Sequence, residues 1–535
     1  MESVNEKDFS FGKPKPIDLS HHLSDISKAR KPSPLKDLQR FLGNPNLIQM
    51  AGGLPSPAYF PFASLSAEGL VAESFPISPS QSPPSGSAFS WFWKLFGAPT
   101  KEKTTTLTVG KYPEQPDDLN LAVSLQYGMA KGLPQLQKFI DEFTTRVYKP
   151  AYKDPVCLVH TGNTDGWFKV VMTFCNPGEG VLAAEWTYPS AMNTTRPLGV
   201  TPVPVPIDEQ GICGVGLRKI LAEWDESARG MPRPRIMYTV PIGQNPTGAT
   251  MEATRKKEIY EICVEFDVVI VEDDPYYFLQ EGQYTHKSSR SISRTESDEE
   301  YIDNLVPSFL KFDYQGRVIR LDSFSKTVAP GCRLGWFTCN PLFAERLERQ
   351  AESSTQAPCG LGQTMVTSLI LNWQFNGYIR WLRALGTQYT QRRDFLLDCF
   401  SDEFHLEVEQ EHKGAWKGNT VYRAYAVPRN ARAMIEKTSA RAPMFSFVPP
   451  TSGMFVWMQL HLNHHPAFPD ETPVTLEMKL WEKVALAGVL FAPGRMFSCE
   501  DDGEASPVGS GHFRVSFSNV PVSKLYLAYV MESDH

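Results

Sequence analysis

One lysine in the sequence stands in a setting that a surface lysine does not require. Lys326 lies between the hydroxyl side chains of Ser325 and Thr327, and Arg333 follows seven residues later, behind a Pro-Gly pair. Hydroxyl groups and a guanidinium can bind a phosphate, while a lysine amine can reach a carbonyl carbon and form an imine. The stretch 322–336 therefore predicts a lysine that forms an imine with a carbonyl carbon beside a bound phosphate.

An acid and an amide follow two other apolar runs. The run 268–272 leads directly into Asp273, and the run 236–241 leads into a Gly-Gln-Asn-Pro-Thr-Gly stretch that contains Asn245. Acidic residues often cap loops and Asn-Pro pairs often form turns, so each motif alone also fits an ordinary connection. In a parallel sheet, however, the carboxyl ends of the strands meet at one edge, where ligands bind in open α/β folds. Asp273, Asn245 and Lys326 would then share one site.

Two further stretches could bind anionic groups. A helix predicted to end near 174 begins around Asn163 and Thr164. The unpaired N–H groups of a helix start suit a phosphate, although an ordinary capped helix begins in the same way. Arg514 falls within the alternating run 513–518, where it is either a solvent-facing arginine or a clamp for a carboxylate.

The elements that must position these residues alternate along the central part of the chain. Short apolar strands are predicted at 180–185, 236–241, 268–272, 318–321 and 335–338. Apolar residues recur at helical spacing between 251 and 266, which predicts a crossover helix. This alternation is typical of an α/β domain whose largely parallel sheet is covered on both faces. Helix patterns from about 376, then strands near 453–460 and 513–518, predict a smaller α+β domain.

Three segments are irregular by composition. Residues 1–60 carry recurrent prolines and predict an extended arm that must lie across the rest of the molecule. The stretch 78–100 combines a Ser/Pro-rich loop with an aromatic run, which predicts a packing flap or a subunit contact. The polar stretch 283–300 predicts a surface insertion.

The bulk composition disfavours several classes of protein. At 535 residues the chain exceeds what one hydrophobic core usually supports, so at least two domains are expected. A formal net charge of −7 argues against binding to nucleic acid. No apolar run approaches the roughly 18 residues of a membrane span, and the charged start lacks the apolar segment of a signal peptide. Nine scattered cysteines without a C-x-x-C pair favour reduced thiols, which predicts a soluble cytoplasmic protein.

Taken in their order along the chain, the motifs resemble those of the class I aminotransferases, fold-type-I enzymes that use pyridoxal 5′-phosphate (PLP). The resemblance rests on Ser323-x-Ser325-Lys326 with Arg333, Asn245-Pro246-x-Gly248 and Asp273-x-x-Tyr276. The stretches AGGLP (51–55), LQYG (125–128), EDDPYYF (272–278) and VIRLDSFSK (318–326) are similar to the aromatic aminotransferases of fungal type. Kynurenine and α-aminoadipate aminotransferases are close relatives of those enzymes. The resemblance spans roughly residues 17–520.

The resemblance implies a role for each matched residue. Lys326 would hold the cofactor and move a proton at the substrate Cα, and Asp273 would bind the pyridine nitrogen. Tyr276 and Asn245 would bind the phenolic oxygen, and Tyr188 would stack on the ring. The phosphate would be bound by Asn163, Thr164, Ser323, Ser325, Arg333 and a Tyr127 from the neighbouring subunit, which implies a homodimer. Arg514, Gly53 and Asn245 would lie against the substrate, with the arm folded over it.

The resemblance also implies the domain organisation. The expected fold is the type I PLP-transferase fold, with a large α/β domain built on a mostly parallel sheet, a smaller α+β domain and an N-terminal arm. We expect the arm and part of the small domain at 1–120, the large PLP-binding domain at 121–375 and the C-terminal small domain at 376–535.

The predicted function is transfer of the amino group of phenylalanine, tyrosine or tryptophan to a 2-oxo acid such as 2-oxoglutarate. A kynurenine or α-aminoadipate substrate remains an alternative, as does a PLP-dependent lyase or decarboxylase reaction. A transcription regulator with an aminotransferase-like domain is disfavoured, because the proline-rich start lacks the pattern of a DNA-binding helix-turn-helix. Three histidines at 461, 464 and 465 have no recognisable ligand spacing, so no metal site is expected.

Overall fold

The computed structural model describes residues 12–32, 48, 50, 53–77, 102–290, 296–411, 414–427, 442–468, 470–500 and 509–520. Its strands are β1 (Ser64–Leu70), β2 (Thr104–Gly110), β3 (Val156–His160), β4 (Gly180–Ala184), β5 (Thr201–Val205), β6 (Ile207–Asp208), β7 (Gly211–Ile212), β8 (Ile236–Thr239), β9 (Val269–Asp273), β10 (Val318–Ser323), β11 (Gly335–Cys339), β12 (His405–Gln410), β13 (Thr420–Tyr425), β14 (Phe445–Phe447), β15 (Phe455–Leu460), β16 (Ala492–Pro493) and β17 (Gly511–Ser516). The predicted flap at 78–100 and residues 291–295 of the predicted insertion lie outside the described residues.

The α-helices lie mainly between the strands of the central region. They are α1 (Asp25–Ala29), α2 (Leu121–Ser124), α3 (Pro134–Phe143), α4 (Asn163–Phe174), α5 (Pro189–Thr195), α6 (Gly214–Ala222), α7 (Glu226–Arg229), α8 (Ala253–Glu265), α9 (Asp298–Asn304), α10 (Pro341–Glu352), α11 (Gly360–Glu403) and α12 (Pro473–Leu486). Among the described residues, no helix combines the length and the apolar character needed to cross a membrane.

A seven-stranded sheet forms the centre of the molecule. Its strand order is β3-β11-β10-β9-β8-β4-β5, and every pair is parallel except the two that involve β11. Residues of α4, α5 and α10 pack on one face, and residues of α3, α6, α8 and α11 pack on the other. Because both faces are covered, every residue of β8, β9 and β10 is buried. The predicted α/β class and the mostly parallel sheet are confirmed.

The five predicted strands correspond to β4 and β8–β11, and the predicted crossover helix is α8. One boundary differs in a way that matters, since Asp273 is the last residue of β9 rather than the first residue of the following loop. The strand β5 was not predicted, and its sequence is Thr-Pro-Val-Pro-Val. This strand tolerates two prolines because it lies at the edge of the sheet and pairs only with β4.

A six-stranded antiparallel sheet in the order β12-β13-β14-β15-β17-β16 forms the core of the C-terminal part. The predicted strands at 453–460 and 513–518 are β15 and β17. The long helix α11 joins the two sheets and is interrupted at Gln374, which has a φ of 56°. The predicted domain boundary between 375 and 376 lies beside this interruption and, like the boundary between 120 and 121, stays a prediction.

The described N-terminal segment 12–32 lies along the central domain. Backbone hydrogen bonds run from Ile17 N to Gln315 O (3.0 Å) and from Ser24 N to Thr173 O (2.9 Å), and Leu19 is buried in the core. The prediction of an extended arm is wrong for part of this segment. Residues Ser20–His22 form a 3-10 turn and are followed shortly by α1, where the Ser24 side chain caps the helix by accepting a hydrogen bond from the Ser27 N–H.

Candidate active site

A cavity of about 420 Å³ lies at the carboxyl ends of β8, β9 and β10. The predicted site residues that line it are Asn163, Thr164, Tyr188, Asn245, Asp273, Tyr276, Ser323, Ser325, Lys326, Arg333 and Arg514. The chain therefore brings together, from separate strand ends, the acid, the amide and the amine that the sequence analysis placed at one sheet edge. The other sheet contributes Arg514, so the cavity lies between the two sheets.

Asp273 is buried at the base of this cavity, where both of its carboxylate oxygens accept hydrogen bonds. The hydroxyl of Tyr238 donates to Oδ2 and the side-chain amide of Asn163 donates to Oδ1, both at 2.6 Å. Burial raises the pKa of the Asp273 carboxyl, while the two donors act in the opposite direction. A carboxylate oxygen has two lone pairs, so Asp273 retains the capacity to accept a further N–H donor from a ligand.

The side chain of Asn163 is bound to Asp273, and the phosphate contact predicted for Asn163 at the helix start stays a prediction. Its amide group also donates to the carbonyl of Leu321 at 3.2 Å, so the side chain is directed toward Asp273. Its Oδ1 is buried and has no hydrogen-bond partner among the described residues. We conclude that the Asn163 side chain supports Asp273 and that it offers one free acceptor to a ligand.

Lys326 follows β10 and is half-buried at the cavity. Burial and, to a lesser extent, the positive charge of Arg514 lower the pKa of the Lys326 ammonium. The direction is the one that a reactive lysine requires, because only the neutral amine can attack a carbonyl carbon or accept a proton.

Two serines and an arginine form a linked anion-binding group at one end of the cavity. The hydroxyl of Ser323 donates to Ser325 Oγ at 2.7 Å, and Arg333 Nη1 donates to the same Ser325 oxygen at 3.3 Å. Arg333 Nη2 also donates to the carbonyl of Thr161 at 2.8 Å, in the turn that precedes α4. Hydroxyl groups, a guanidinium and a helix start are thereby held close together, which suits a phosphate dianion.

Gly162 makes this arrangement possible. Its φ is +97°, and a Cβ atom added to it would lie 1.9 Å from Arg333 Nη2. Any side chain at this position would strain the backbone and displace the guanidinium. The sequence signal was the Thr-Gly-Asn turn ahead of the predicted helix, but the contact with Arg333 depends on tertiary structure.

The sequence left open whether Arg514 faces solvent or forms a clamp for a carboxylate. In the structure its side chain faces the cavity rather than solvent. Its Nη1 donates to Asn245 Oδ1 at 2.7 Å, and its guanidinium carbon lies 4.3 Å from the centre of the Phe455 ring and 4.6 Å from that of Phe497. Its Nε is buried and has no hydrogen-bond partner among the described residues. A desolvated guanidinium with unused donors is well suited to bind a carboxylate.

Tyr276 lines the cavity with its hydroxyl protonated. Burial and the nearby Asp273 charge raise the pKa of this phenol, so it can donate a hydrogen bond to a ligand oxygen. Tyr188, just before α5, also lines the cavity. The stacking predicted for Tyr188 and the ring-oxygen contact predicted for Tyr276 stay predictions.

Two predicted site residues are not among those that line the cavity. The side chain of Tyr127 is 69% exposed, and a Cβ atom added to Gly53 would meet nothing within 4 Å. Gly53 belongs to the AGGLP stretch, of which residues 51 and 52 lie outside the described residues. The roles of Tyr127 and Gly53 stay predictions.

Several lining residues were missed by the sequence analysis. They are Trp167, Ser190, Ala191, Tyr238, Val240, Pro275, Pro330, Met454, Phe455, Ser516 and Ser518. Tyr238 is the most informative of them, because it binds Asp273 from the neighbouring strand β8. Its position near the end of a predicted strand was a usable signal, since residues at adjacent strand ends face one another across the sheet edge.

The residues of the cavity fit PLP. Asp273 can accept a hydrogen bond from a protonated ring nitrogen, Tyr276 and Asn245 can bind a ring oxygen, and the group around Arg333 can bind the phosphate. Lys326 supplies the amine. The buried and unpartnered Asn163 Oδ1 and Arg514 Nε are polar atoms that a ligand in this cavity would satisfy.

Comparisons with known proteins agree with this assignment. Residues 116–415 match the family model described as aminotransferase class I and II. An aromatic amino acid aminotransferase of Schizosaccharomyces pombe is 34% identical over 90% of both chains. An L-tyrosine:2-oxoglutarate aminotransferase of Tapinella panuoides is 32% identical over 92% of this chain and 83% of its own. The crystal structure of the aminotransferase Aro8 from Candida albicans is 34% identical over 98% of both chains and superposes with a TM-score of 0.80.

Proposed function

Because the chain belongs to the class I and II aminotransferase family, we propose that it transfers the amino group of an aromatic L-amino acid to a 2-oxo acid such as 2-oxoglutarate. The observation that carries the proposal is the meeting of Lys326, Asp273 and Arg514 in one cavity between the two sheets. These residues supply an amine whose ammonium has a lowered pKa, a buried carboxylate and a desolvated guanidinium.

When bound, PLP supplies an electron sink for the negative charge that develops at the substrate Cα. Asp273 maintains this property by accepting a hydrogen bond from the ring nitrogen, with Tyr238 and Asn163 fixing the orientation of its carboxylate. Lys326 would move a proton at its Nζ between the substrate Cα and the cofactor, which the lowered pKa of its ammonium favours.

The substrate α-carboxylate binds to Arg514 in this proposal. Asn245 accepts a hydrogen bond from Arg514 Nη1 and thereby orients the guanidinium, while the rings of Phe455 and Phe497 exclude water from it. A charge-assisted, bidentate contact of this kind is stronger than the hydrogen bond that a lysine could form at the same place.

The aromatic preference is supported by the side chains around the cavity and by the relatives. Tyr188, Met454 and Phe455 offer apolar surface beside Arg514, on which an aromatic ring can pack. Two of the relatives named above act, by their names, on aromatic amino acids or on tyrosine. Kynurenine or α-aminoadipate is the second candidate, since structures of 21% and 20% identity that share the fold are named for those substrates.

We further infer a homodimer in the cytoplasm. An exposed Tyr127 that lies outside the cavity lining of its own chain is consistent with a role in the site of a neighbouring subunit. All nine cysteines are free thiols, which agrees with a reducing compartment. Sedimentation of the purified protein tests the dimer directly.

Single-turnover kinetics test the substrate and the reaction type together. The purified holoenzyme is mixed with phenylalanine, tyrosine, tryptophan, kynurenine, α-aminoadipate or leucine, and bleaching of the bound cofactor's absorbance is followed. We expect aromatic donors to react fastest and 2-oxoglutarate to restore the original spectrum. Faster reaction with α-aminoadipate or leucine would overturn the aromatic assignment, and release of CO₂ or ammonia without restoration by a keto acid would indicate another PLP reaction.

The covalent attachment of the cofactor is tested separately. Borohydride reduction of the holoenzyme followed by peptide mapping should place a pyridoxyl group on Lys326. An unlabelled Lys326 peptide from fully loaded enzyme would contradict the proposed role of this residue.

A further inference from the structure

A fully buried arginine lies directly behind the candidate active site. Arg320 is in the middle of β10, and its side chain is on the sheet face opposite to the one occupied by Ile319 and Leu321. Its Nε donates to both carboxylate oxygens of Asp322, at 3.1 and 3.0 Å. Its Nη1 lies 3.1 Å from Asp274 Oδ2 and 3.2 Å from Glu272 Oε2. One guanidinium thus binds three buried carboxylates.

These three carboxylates flank the residues that face the cavity. Glu272 and Asp274 stand on either side of Asp273 in the sequence, and Asp322 immediately precedes Ser323. The register of the parallel pair β9 and β10 places Arg320 opposite Glu272 and Leu321 opposite Asp273. Successive side chains of a strand point to opposite faces of the sheet. When Glu272 and Asp322 are held on one face, the residues that follow them, Asp273 and Ser323, are therefore held in place on the other face.

We propose that Arg320 is a positioning residue of this enzyme, which holds the carboxyl ends of β9 and β10 together so that Asp273 and Ser323 meet the ring and the phosphate of the same cofactor molecule. The proposal rests on the proposed function. Arg320 itself touches none of the reacting groups, since it acts through the backbone of the two strand ends.

The surroundings leave Arg320 no other orientation. Its guanidinium carbon lies 3.9 Å from the ring centre of Tyr148 and 4.6 Å from that of Tyr277. The Tyr148 hydroxyl donates to Asp322 Oδ1 at 2.7 Å, which fixes the far side of that carboxylate. The guanidinium can bind three separate carboxylates because its N–H donors are fixed in one plane and point in different directions. A lysine ammonium cannot reproduce this arrangement of donors.

The charges of the buried cluster explain why the arginine matters electrostatically. Lys256 is the second cation, with its Nζ 3.5 Å from Glu272 Oε1, so two cations face the three carboxylates of Glu272, Asp274 and Asp322. Burial raises the pKa of Asp274 to about 7, which is consistent with this excess of acidic groups. The Arg320 charge also favours the ionised form of Asp273, whereas Asp322 opposes it.

A purely structural role is the alternative, because breaking any buried ion cluster destabilises a protein. The chain offers a matched control for it. Arg317 precedes the first residue of the same strand and is only 2% exposed. Its side chain donates to the carbonyl of Val268 at 3.0 Å and to Gln315. Arg317 is therefore a buried arginine at the amino end of β10, away from the cavity.

The experiment compares R320K with R317K in the full-length protein. Cofactor is removed from each variant, and the Kd for added PLP is measured by quenching of tryptophan fluorescence, alongside thermal unfolding of the apoprotein. We expect R320K to raise the Kd by about tenfold or more, and R317K by less than about twofold, since only R320K loses charge-assisted hydrogen bonds beside the residues that meet the cofactor. The variant comparison is interpreted only if the wild-type apoprotein binds PLP, and failure of the wild type to bind would count against the proposed function.

A second readout separates positioning from general destabilisation. A lysine at 320 keeps the positive charge but reaches fewer of the three carboxylates, so the carboxylates left unpaired act more strongly on the cofactor site and the bound chromophore should keep its proton to higher pH. We therefore expect the midpoint of its absorbance titration to shift upward in R320K and to stay unchanged in R317K. The proposal would be overturned if R320K and R317K changed the Kd for PLP equally. It would also be overturned if R320K lowered the unfolding temperature but left the Kd and the titration midpoint unchanged.

A milder variant covers the case in which R320K does not fold. Asp322→Asn keeps the shape of the side chain but removes one of the three charges bound by Arg320. We expect a smaller change of the same kind, with the Kd for PLP raised at least threefold. A wild-type Kd and titration for Asp322→Asn would contradict the inference.

Discussion

The two ends of the paired strands β9 and β10 differ in how exposed their charged groups are, although a buried arginine lies toward each end. At the amino end, Arg317 lies 3.4 Å from Asp267, which also binds His21 and His22 of the N-terminal arm. Toward the carboxyl end, Arg320 in the middle of β10 binds three carboxylates behind the cofactor site. The Asp267 side chain is 46% exposed, whereas the carboxylates bound by Arg320 are at most 4% exposed.

The difference in exposure assigns the two ends different tasks. Interactions among exposed charges are screened by water and salt, and a partly exposed pair contributes little to stability. A desolvated cluster is costly to form, and removing one of its partners leaves a buried charge uncompensated, which is strongly destabilising. The amino end therefore fastens the arm to the domain, and the carboxyl end fixes the geometry on which chemistry depends.

The arm contact also contains the ligand types of a metal site. One nitrogen each of His21 and His22 and a carboxylate oxygen of Asp267 lie within 4.8 Å of one another. The two His–Asp distances, 2.6 and 3.0 Å, are those of hydrogen bonds, and the nearby Arg317 guanidinium opposes a second cation. We interpret the cluster as a hydrogen-bonded fastening of the arm.

The largest expected difference between the two ends is in kcat, when Lys326 near the carboxyl end and Asp267 near the amino end are each replaced. Lys326→Ala removes the group that holds the cofactor and moves the proton, so kcat for transamination should fall by about 10³-fold or more. Asp267→Asn at the amino end should leave kcat within about twofold of wild type. Steady-state rates with tyrosine and 2-oxoglutarate measure both variants, and a large loss of kcat in Asp267→Asn would break the division of tasks.

The fold and much of this site could be predicted because both depend on local sequence signals. Apolar runs identified β4 and β8–β11, and the polar residues after them identified Asp273, Asn245 and Lys326. Parallel strands bring such residues to one edge whatever the details of packing.

The contacts among distant residues were not predictable in the same way. Arg514 lies 269 positions from Asn245, and only the meeting of the two sheets shows that it faces the cavity. Arg320 looked like one more polar residue in a strand, because alternation does not reveal which charges a buried face contains. Tyr238 stood near the end of a predicted strand, which was a usable signal, but its hydrogen bond to Asp273 depends on the pairing of β8 with β9.

The next largest effect is expected at the substrate clamp. Arg514→Lys keeps the charge but loses the planar pair of donors, so the KM for tyrosine should rise by about 10- to 100-fold, with a smaller change in kcat. Arg423→Lys in the same sheet is a suitable control, since Arg423 binds Glu409 and Glu411 and does not line the cavity. Equal KM values for the two variants would argue against carboxylate binding by Arg514.

Replacement of Gly162, which precedes α4, tests whether PLP binding at the carboxyl end tolerates a small displacement of the Arg333 guanidinium. Gly162→Ala should raise the Kd for PLP by about tenfold or more, because the added Cβ displaces Arg333 and strains the backbone. Gly178→Ala is the matched control. Gly178 has a similar φ of +87°, but its Cβ would meet nothing within 4 Å. The control should lower stability without a comparable change in Kd, and similar losses of affinity would refute the role of the Gly162–Arg333 contact.

The smallest expected effect concerns the arm and appears only in the pH dependence of stability. Burial lowers the pKa of His22 to about 4, although Asp267 opposes this shift, while His21 and Arg235 reinforce it. Above pH 6.5 His22 is neutral in both states. As the pH falls from 6.5 toward 4, the unfolded chain gains a proton that the folded chain does not, so His22 should cost up to about 3 kcal/mol of stability.

Replacing His22 should therefore flatten the acid side of the stability profile. His22→Gln is expected to lose less stability between pH 7 and pH 5 than wild type does, in urea unfolding of the full-length protein. If the stability of His22→Gln had the same pH slope as that of wild type, the arm would be released from the domain before His22 becomes protonated. The contact between the arm and the amino end of the strands would then be weaker than the burial of the His22 imidazole suggests.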